Sequence, residues 1–410
     1  MQATWRVGSL LGIPFFLDPS WFLILGFLTL VNARNFTESL GSTLAWSAGL
    51  LMALLLFGSV ILHELGHSLV ARSQGIKVNS ITLFVFGGVA SIERESKSPG
   101  EAFQVAIAGP TVSLVLFGLF YLLSQVLPLS EVGQQIAGDL ARINLIIALF
   151  NLIPGLPLDG GQVLKAAVWK LTGNRFQAVR WAAKIGKVLG GLAIAFGLGL
   201  AFISQEWVIL WIALIGAFII RNANAYEGLT KLQETLLNLV VTDAMTRDFR
   251  VVDANQTLRA FADEYILADS QTPMPYYATQ EGRYRGLVVI EDLHFIERSN
   301  WDTQTLISIV RPLSELATVE EKASLVVAIN SLESEQIKRL TVLSPAGTIA
   351  GVIDRGDVVC AVAKSLNLPI PDAEIKRTKA EASYPQGLQL PAIADQLAES
   401  KPEKIPEFSS

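Results

Sequence analysis

Two histidines and a glutamate that could hold and use a metal ion lie within five residues of this chain. His63, Glu64 and His67 form an H-E-x-x-H pattern inside the apolar segment Phe57–Val70. Residues four apart share a face of a helix, so both imidazoles can offer a nitrogen to one tetrahedral zinc ion. Glu64 lies beside them, where it can take a proton from a water that the metal activates. The pattern therefore predicts zinc-dependent hydrolysis.

A catalytic zinc ion needs a third protein ligand and keeps water in its fourth position. The remaining histidine, His294, lies in a polar region that favours a surface role, and the single cysteine, Cys360, cannot build a cysteine site. Most carboxylates of the apolar half lie in polar loops. Asp159 instead follows a long apolar run and is flanked by prolines and glycines that break a helix locally. We expect Asp159 to be the third ligand, with a helix N-cap as the competing role.

The surroundings of these residues are those of a membrane protein. The chain is 51% hydrophobic with a mean hydropathy of +0.44, too apolar for a typical soluble enzyme. The apolar residues are concentrated in residues 1–225, whereas residues 240–410 have the composition of soluble protein. The net charge of −5 argues against a nucleic-acid partner. No basic segment precedes a cleavable apolar stretch at the N-terminus, so we expect no removed signal peptide.

Six apolar segments of the first region are predicted as membrane-spanning helices. They are Phe15–Val31, Thr43–Val70, Ala102–Leu127, Ile143–Leu158, Val188–Ile203 and Trp207–Ile220. Between the second and third, Ile76–Ile92 is rich in β-branched residues and contains the Gly87–Gly88 pair. This pattern predicts a membrane-associated β-hairpin, which must lie against protein or at the interface because a bare strand cannot face lipid.

Lysine and arginine residues are concentrated in the loops on one side of these spans. By the positive-inside rule, both termini and the ends of the second and fourth spans are expected to be cytoplasmic. The soluble region would then be cytoplasmic too, in a bacterial plasma membrane or an equivalent organelle membrane.

Residues 240–365 contain a diffuse internal repeat, with halves of about 240–298 and 299–365. Each half runs from a short apolar segment through a helix to two strands. Each closes with a glycine followed six residues later by an aspartate, in Gly286–Asp292 and Gly351–Asp357. The repeat predicts a tandem pair of β-α-β-β-α modules.

Two segments without the pattern of the repeat flank it. Residues 226–239 are predicted as a linker between the membrane region and the modules. Residues 366–410 mix proline, alanine, lysine and glutamate with few aromatic residues. This composition predicts a disordered tail with at most a short helix.

Two motifs together give a specific family resemblance. HELGH at His63–His67 and NLIPGLPLDGG at Asn151–Gly161 resemble the site-2 protease family of intramembrane zinc metalloproteases. FGG at Phe86–Gly88 and AGP at Ala108–Pro110 add to the resemblance, which covers about residues 1–220.

The resemblance implies a role for each motif. It implies zinc held by His63, His67 and Asp159, with Glu64 as the catalytic base. It implies that Asn151 lies near the site, where it contacts the substrate or the developing oxyanion. It also implies that the strand at Gly87 and Gly88 pairs with an unwound segment of the substrate.

One departure from the family pattern follows the AGP motif. Family members often carry asparagine shortly after this motif, and this chain reads TVSL, with Ser113. We expect the change to alter a helix contact and to leave the metal ligands untouched.

The repeat resembles the paired cystathionine-β-synthase (CBS) domains that one subgroup of the family carries. In CBS domains that bind adenine nucleotides, serine or threonine three residues after the closing glycine and aspartate six residues after it contact ribose and phosphate. Asp292 and Asp357 match the aspartate positions, but Val289 and Asp354 stand at the serine or threonine positions. Valine cannot form a hydrogen bond, and Asp354 would repel a phosphate. Nucleotide sensing and a purely structural, dimerising role both stay open.

These observations predict a polytopic α-helical membrane protein with six transmembrane helices and a membrane-associated β-hairpin, followed by a soluble α/β CBS-domain pair. The predicted function is zinc-dependent cleavage of single-span, membrane-tethered substrates such as regulators or anti-sigma factors, under the control of the CBS domains. Expected partners are these substrates, the lipid bilayer and a second copy bound through the CBS domains. The alternative is a CBS-gated divalent-metal transporter or binding protein. Glu64 favours hydrolysis, because transport needs no base beside two ligands.

Overall fold

The structure is a computed structural model that describes residues 4–85, 87–126, 128, 130–267, 274–385 and 387–399. Its contacts divide the chain into two units, Met1–Thr230 and Lys231–Ser410. Each unit contains apolar clusters of its own.

The first unit is mainly helical. Its helices are α1 (Pro19–Ser73), α2 (Pro99–Val126), α3 (Glu131–Asn151), α4 (Asp159–Thr172), α5 (Arg175–Ser204) and α6 (Leu210–Asn238, after a 3₁₀ turn at Trp207–Ile209). Helix α1 is two helices joined at Gly41, whose φ of 72° is readily adopted only by glycine. A Cβ atom at Gly49 would come within 2.7 Å of backbone atoms of Thr29 and Ala33. The two halves of α1 therefore pack closely against each other.

Four helical segments of the described chain are long and apolar enough to cross a membrane. They are Leu40–Ser73, Pro99–Val126, Arg175–Ser204 and Trp207–Asn238. The protein is thus an integral membrane protein by the length and composition of its helices, but four segments meet the criterion where six spans were predicted.

Two of the six predicted spans, Phe15–Val31 and Ile143–Leu158, do not correspond to any of these four segments. Within Phe15–Val31, strand β2 (Ile13–Leu17) takes up the first residues, and the Asp18 side chain caps α1 by accepting a hydrogen bond from the Ser20 backbone N–H. Within Ile143–Leu158, helix α3 ends at Asn151 and the last seven predicted residues form a loop. An apolar run alone does not distinguish a helix from a strand or a buried loop.

A four-stranded sheet packs against the motif-bearing end of α1. Its strands are β1 (Trp5–Leu10), β2 (Ile13–Leu17), β3 (Val78–Phe84) and β4 (Gly87–Ile92), in the order β1-β2-β3-β4. The β1/β2 and β3/β4 pairs are antiparallel, and β2 is parallel to β3. Ile13, Ile81 and Leu65 are buried in one cluster, which fixes the sheet on α1.

The segment predicted as a hairpin thus forms β3 and β4, but as half of a larger sheet. Strand β2 was missed because its residues Phe15–Leu17 read as the start of an apolar span, and its partner β1 was missed with it. Phe86 of the FGG motif lies outside the described residues.

The second unit contains two small sheets. The first half has α7 (Val241–Ala244), β5 (Arg250–Asp253), α8 (Leu258–Phe261), β6 (Tyr276–Gln280), β7 (Arg283–Val288) and β8 (Val310–Pro312). The second half has β9 (Thr318–Glu320), α9 (Leu325–Ser334), β10 (Arg339–Leu343), β11 (Ile349–Asp354) and α10 (Arg355–Leu366). In each sheet the first strand is parallel to the second, and the second is antiparallel to the third.

The two halves differ in how they close. The second half ends in the 12-residue helix α10, whereas the first ends in the 3₁₀ segment Ile290–Phe295. Asp292 lies in that short segment and Asp357 in the first turn of α10. The two aspartates of the predicted repeat therefore lie on different kinds of element, one on a 3₁₀ segment and the other on an α-helix.

The prediction of a disordered tail over residues 366–410 is wrong for much of its length. Helices α11 (Asp372–Glu381) and α12 (Leu390–Glu399) follow α10. Leu390, Ile393 and Leu397 are buried in the same core as α9. These residues are three and four apart, so they form one apolar stripe that composition alone does not reveal. Residues 400–410 lie outside the described chain.

The predicted linker over residues 226–239 is also different in the structure. It is helical as far as Asn238, because α6 continues through it. The boundary between the two units falls inside this helix, between Thr230 and Lys231.

Candidate metal centre

The three side chains predicted as metal ligands converge in the first unit. His63 Nε2 and His67 Nε2 lie 3.1 and 3.2 Å from Asp159 Oδ2, and the two nitrogens are 3.3 Å apart. Donors bound at about 2.0–2.1 Å to one tetrahedral zinc ion lie about 3.3 Å from each other. The three atoms thus have the spacing of ligands to a single ion. Among the described residues, they form the one group of histidine, cysteine and acidic side chains close enough to hold a metal.

The loop between α3 and α4 delivers Asp159 to this position. Asp159 is the first residue of α4, and the N-cap is Leu158, so the competing N-cap role of Asp159 is not what the structure has. A Cβ atom at Gly160 would lie 2.2 Å from Leu152 O, and one at Gly161 would lie 2.3 Å from the backbone of Gly155. Only glycine allows the loop to fold back so tightly on α4.

Helix α5 supports the loop from behind. A Cβ atom at Gly186 would lie 2.1 Å from Leu156 O, so the two backbones are in direct contact. Leu156 is fully buried, in a cluster with Val179 and Ala183 of α5. The position of Asp159 therefore depends on packing as well as on loop glycines.

Helix α2 contributes contacts on the other side of the histidines. Ser113 Oγ lies 2.9 Å from His63 Nδ1, and Val105 O lies 2.6 Å from His67 Nδ1. A Cβ atom at Gly109 would lie 2.2 Å from His67 Nε2. The AGP motif is part of the family resemblance, but the sequence does not reveal that its glycine lies beside the ligand nitrogens. The expectation that Ser113 leaves the metal ligands untouched is wrong, since it contacts one of them.

Strand β4 lies against Glu64. A Cβ atom at Gly88 would lie 2.6 Å from Glu64 Cγ, so the strand approaches the carboxylate as closely as glycine permits. Gly87 has a φ of 132°, and among the described residues no atom beyond its chain neighbours lies within 4 Å of its Cβ position. Asn151, the last residue of α3, is half-buried, and its contact with substrate stays a prediction.

An ion pair, missed in the sequence, joins α4 to the loop after β4. Lys165 Nζ lies 3.4 Å from Glu95 Oε2, and Arg175 lies 3.8 Å from the same oxygen. The Lys165 side chain is buried. Its charge holds the pKa of Glu95 below the usual value. The pair ties the helix that begins with Asp159 to the sheet that lies against Glu64.

The second unit contains a different cluster of buried carboxylates. Asp354 and Asp357 cap α10, each accepting a hydrogen bond from the backbone N–H of the other at 3.0 and 3.1 Å. Lys379 of α11 places Nζ 2.6 Å from Asp357 Oδ1 and 3.7 Å from Asp354 Oδ2. A Cβ atom at Gly356 would lie 2.4 Å from Lys379 Cγ. The predicted nucleotide-contacting residue Asp357 is thus already paired within the chain.

Comparison with known proteins places the first unit in a family. The model of peptidase family M50 matches residues 51–142 and 134–196. The Synechocystis protein sll0528, named as a zinc metalloprotease, is 41% identical over 361 residues, which cover 86% of this chain and 94% of that protein. The chain belongs to peptidase family M50. The Mycobacterium tuberculosis protein Rip3, also named as a zinc metalloprotease, is 32% identical over 317 residues, or 76% of this M50 chain and 80% of Rip3.

These matches confirm the site-2 protease resemblance and identify a zinc metalloendopeptidase. The solved site-2 protease from Methanocaldococcus jannaschii is 30% identical, covers 55% of this chain and 95% of its own, and has a TM-score of 0.41. A CBS domain of a bacterial CNNM/CorC-family Mg²⁺ transporter, solved in complex with ATP, is 18% identical. It covers 34% of this chain and 97% of its own, with a TM-score of 0.28.

Proposed function

We propose that this M50 protease cleaves single-span, membrane-tethered proteins in or near their transmembrane segments, regulators and anti-sigma factors among them. One observation carries the proposal: His63, Glu64 and His67 lie on a helix apolar enough to cross a membrane, and Asp159 converges on the two histidines from α4. A site on such a helix would reach peptide bonds within the membrane, which a soluble protease cannot. Family membership favours hydrolysis over the alternative of metal transport.

The residues have separate roles in the proposed reaction. His63, His67 and Asp159 fit zinc in donor type and spacing and would hold it. When bound, zinc supplies a Lewis acid that polarises a carbonyl group and makes water acidic near neutral pH. Glu64 takes the proton of the attacking water and delivers it to the leaving amine. Asn151 contacts the substrate or the oxyanion.

Strand β4 is proposed to bind the substrate in extended form. It is an edge strand of its sheet, so one row of its backbone groups faces away from β3. A transmembrane helix must unwind before its carbonyls can be attacked. Pairing with β4 at Gly87 and Gly88 would replace the lost hydrogen bonds. The contact of Gly88 with Glu64 would place the paired segment beside the base.

The C-terminal CBS-like region is proposed to control the protease from the cytoplasm, with both termini on that side of the membrane. Control through an adenine nucleotide at Asp292 and Asp357 is the first form of this proposal, and dimerisation through the region is the second. In this structure Lys379 Nζ lies 2.6 Å from Asp357 Oδ1, so a ribose hydroxyl at that oxygen would compete with the ammonium group.

The substrate class is tested with the Glu64→Gln variant of the full chain expressed in place of the wild type. Membrane proteins that accumulate uncleaved in the variant are identified by mass spectrometry of membrane fractions. The proposal expects single-span proteins with cleavage sites in or near the span. Accumulation of soluble or multi-span proteins alone would contradict the substrate class. Divalent-metal flux into liposomes that is insensitive to this variant would support transport instead.

A further inference from the structure

We infer that Ser113 is a positioning residue of the metal centre: its hydroxyl fixes the His63 ring so that Nε2 faces the other two ligand atoms. The inference rests on the proposed metal site and adds a residue to it. Ser113 is fully buried on α2, and its Oγ lies 2.9 Å from His63 Nδ1.

The tautomer of His63 follows from this contact. A neutral imidazole carries its proton on one nitrogen and offers a lone pair on the other. Nε2 is the atom directed at Asp159 and His67, so it must offer the lone pair to the metal. Nδ1 then carries the proton and donates it to Ser113 Oγ. Without this acceptor, the ring gains freedom to rotate and to exchange its tautomer.

The position of Ser113 on α2 indicates that its contact with His63 is part of the site. Gly109 and Ser113 are four residues apart and so lie on one face of α2, opposite the face of α1 that carries His63 and His67. Gly109 leaves room for the two Nε2 atoms, and Ser113 supplies the acceptor for one Nδ1. The other Nδ1, on His67, has the backbone acceptor Val105 O. A backbone oxygen cannot be removed by substitution. Ser113 is therefore the residue whose substitution can remove one of these two hydrogen-bond acceptors.

Ser68 provides a matched control on the ligand-bearing helix. Like Ser113, it is fully buried, and its Oγ has no hydrogen-bond partner among the described residues. It directly follows His67 in the sequence. Ser68→Ala and Ser113→Ala therefore remove the same atom from equally buried positions, and only the second removes a contact with a ligand.

The test measures zinc affinity of the purified full-length protein in detergent, by competition with a chromogenic chelator. Ser113→Ala is expected to weaken zinc binding by about 10–100-fold, the usual effect of removing a group that orients a metal ligand. Ser68→Ala should stay within about twofold of the wild type, and Ser113→Thr should recover most of the loss. The absorption spectrum of the Co²⁺-loaded protein should change in Ser113→Ala and not in Ser68→Ala.

A second pair of variants, nearly equal in shape, tests the inference if the Ser113→Ala protein does not fold. Ser113→Thr and Ser113→Val have the same shape and differ in the hydroxyl, so the inference expects the valine variant to bind zinc more weakly. Equal affinity within this pair, or an equal loss in Ser68→Ala, would overturn the positioning role while leaving the metal site in place. A wild-type protein that binds no zinc would overturn the metal site itself, and with it the role of Ser113.

Discussion

Both units of the molecule contain clusters of acidic side chains, but the partners of these side chains differ. In the first unit, Asp159 Oδ2 lies 3.1 and 3.2 Å from two histidine nitrogens. In the second, Asp357 lies 2.6 Å from the ammonium group of Lys379, and Arg339 lies 3.9 Å from Asp354. A buried carboxylate needs a positive partner. The first cluster has the donors of a metal site, whereas the second already contains its cations, which indicates a structural role in this conformation.

The largest effect should follow from breaking the first cluster. Asp159→Ala removes one of three ligands, and we expect zinc content to fall from about one per chain to near zero, with loss of proteolysis. Metal analysis of the purified variant checks this. Asp139→Ala, which removes an acidic side chain from α3 of the same unit, should keep the zinc. Full zinc content in Asp159→Ala would mean that another residue completes the site.

The second unit should lose stability when its terminal helix is loosened. Leu397 is 2% exposed, and Leu397→Ala should lower the free energy of unfolding of this unit by about 2–5 kcal/mol, because it leaves a cavity beside α9. Chemical denaturation followed by limited proteolysis measures the change. The exposed neighbour Asp395 offers a control, since Asp395→Ala should have little effect. Equal stability of the two variants would restore the earlier prediction of a disordered tail.

A smaller effect should follow from breaking the second cluster. Lys379→Met leaves two carboxylates without the ammonium group, at a site where the lysine is 37% exposed. We expect the unfolding free energy to fall by about 1–2 kcal/mol, less than for a fully buried pair because solvent screens the charges. Zinc content should not change. Lys376→Met, on an exposed face of the same helix, should be neutral. Destabilisation as large in Lys376→Met would show that α11, and not the ion pair, is responsible.

Sequence reasoning reached the ligand residues because their spacing is local or their surroundings are unusual. His63 and His67 are one helical turn apart, and Asp159 is an acidic residue after a long apolar run. The contact of Ser113 could not be read in the same way, since it depends on how α2 packs against α1. Strands β1 and β2 were hidden because short apolar strands resemble the start of a span. Helix α12 was hidden because overall composition masked its apolar stripe.

The central claim is that Glu64 acts as a base beside a metal that other residues hold. The most direct test measures zinc content and cleavage of a single-span substrate in one preparation of Glu64→Gln. We expect about one zinc per chain, as in the wild type, and a rate lower by about 10²–10⁴-fold, the usual contribution of a positioned acid–base group. Cleavage at the wild-type rate with zinc bound would contradict the claim.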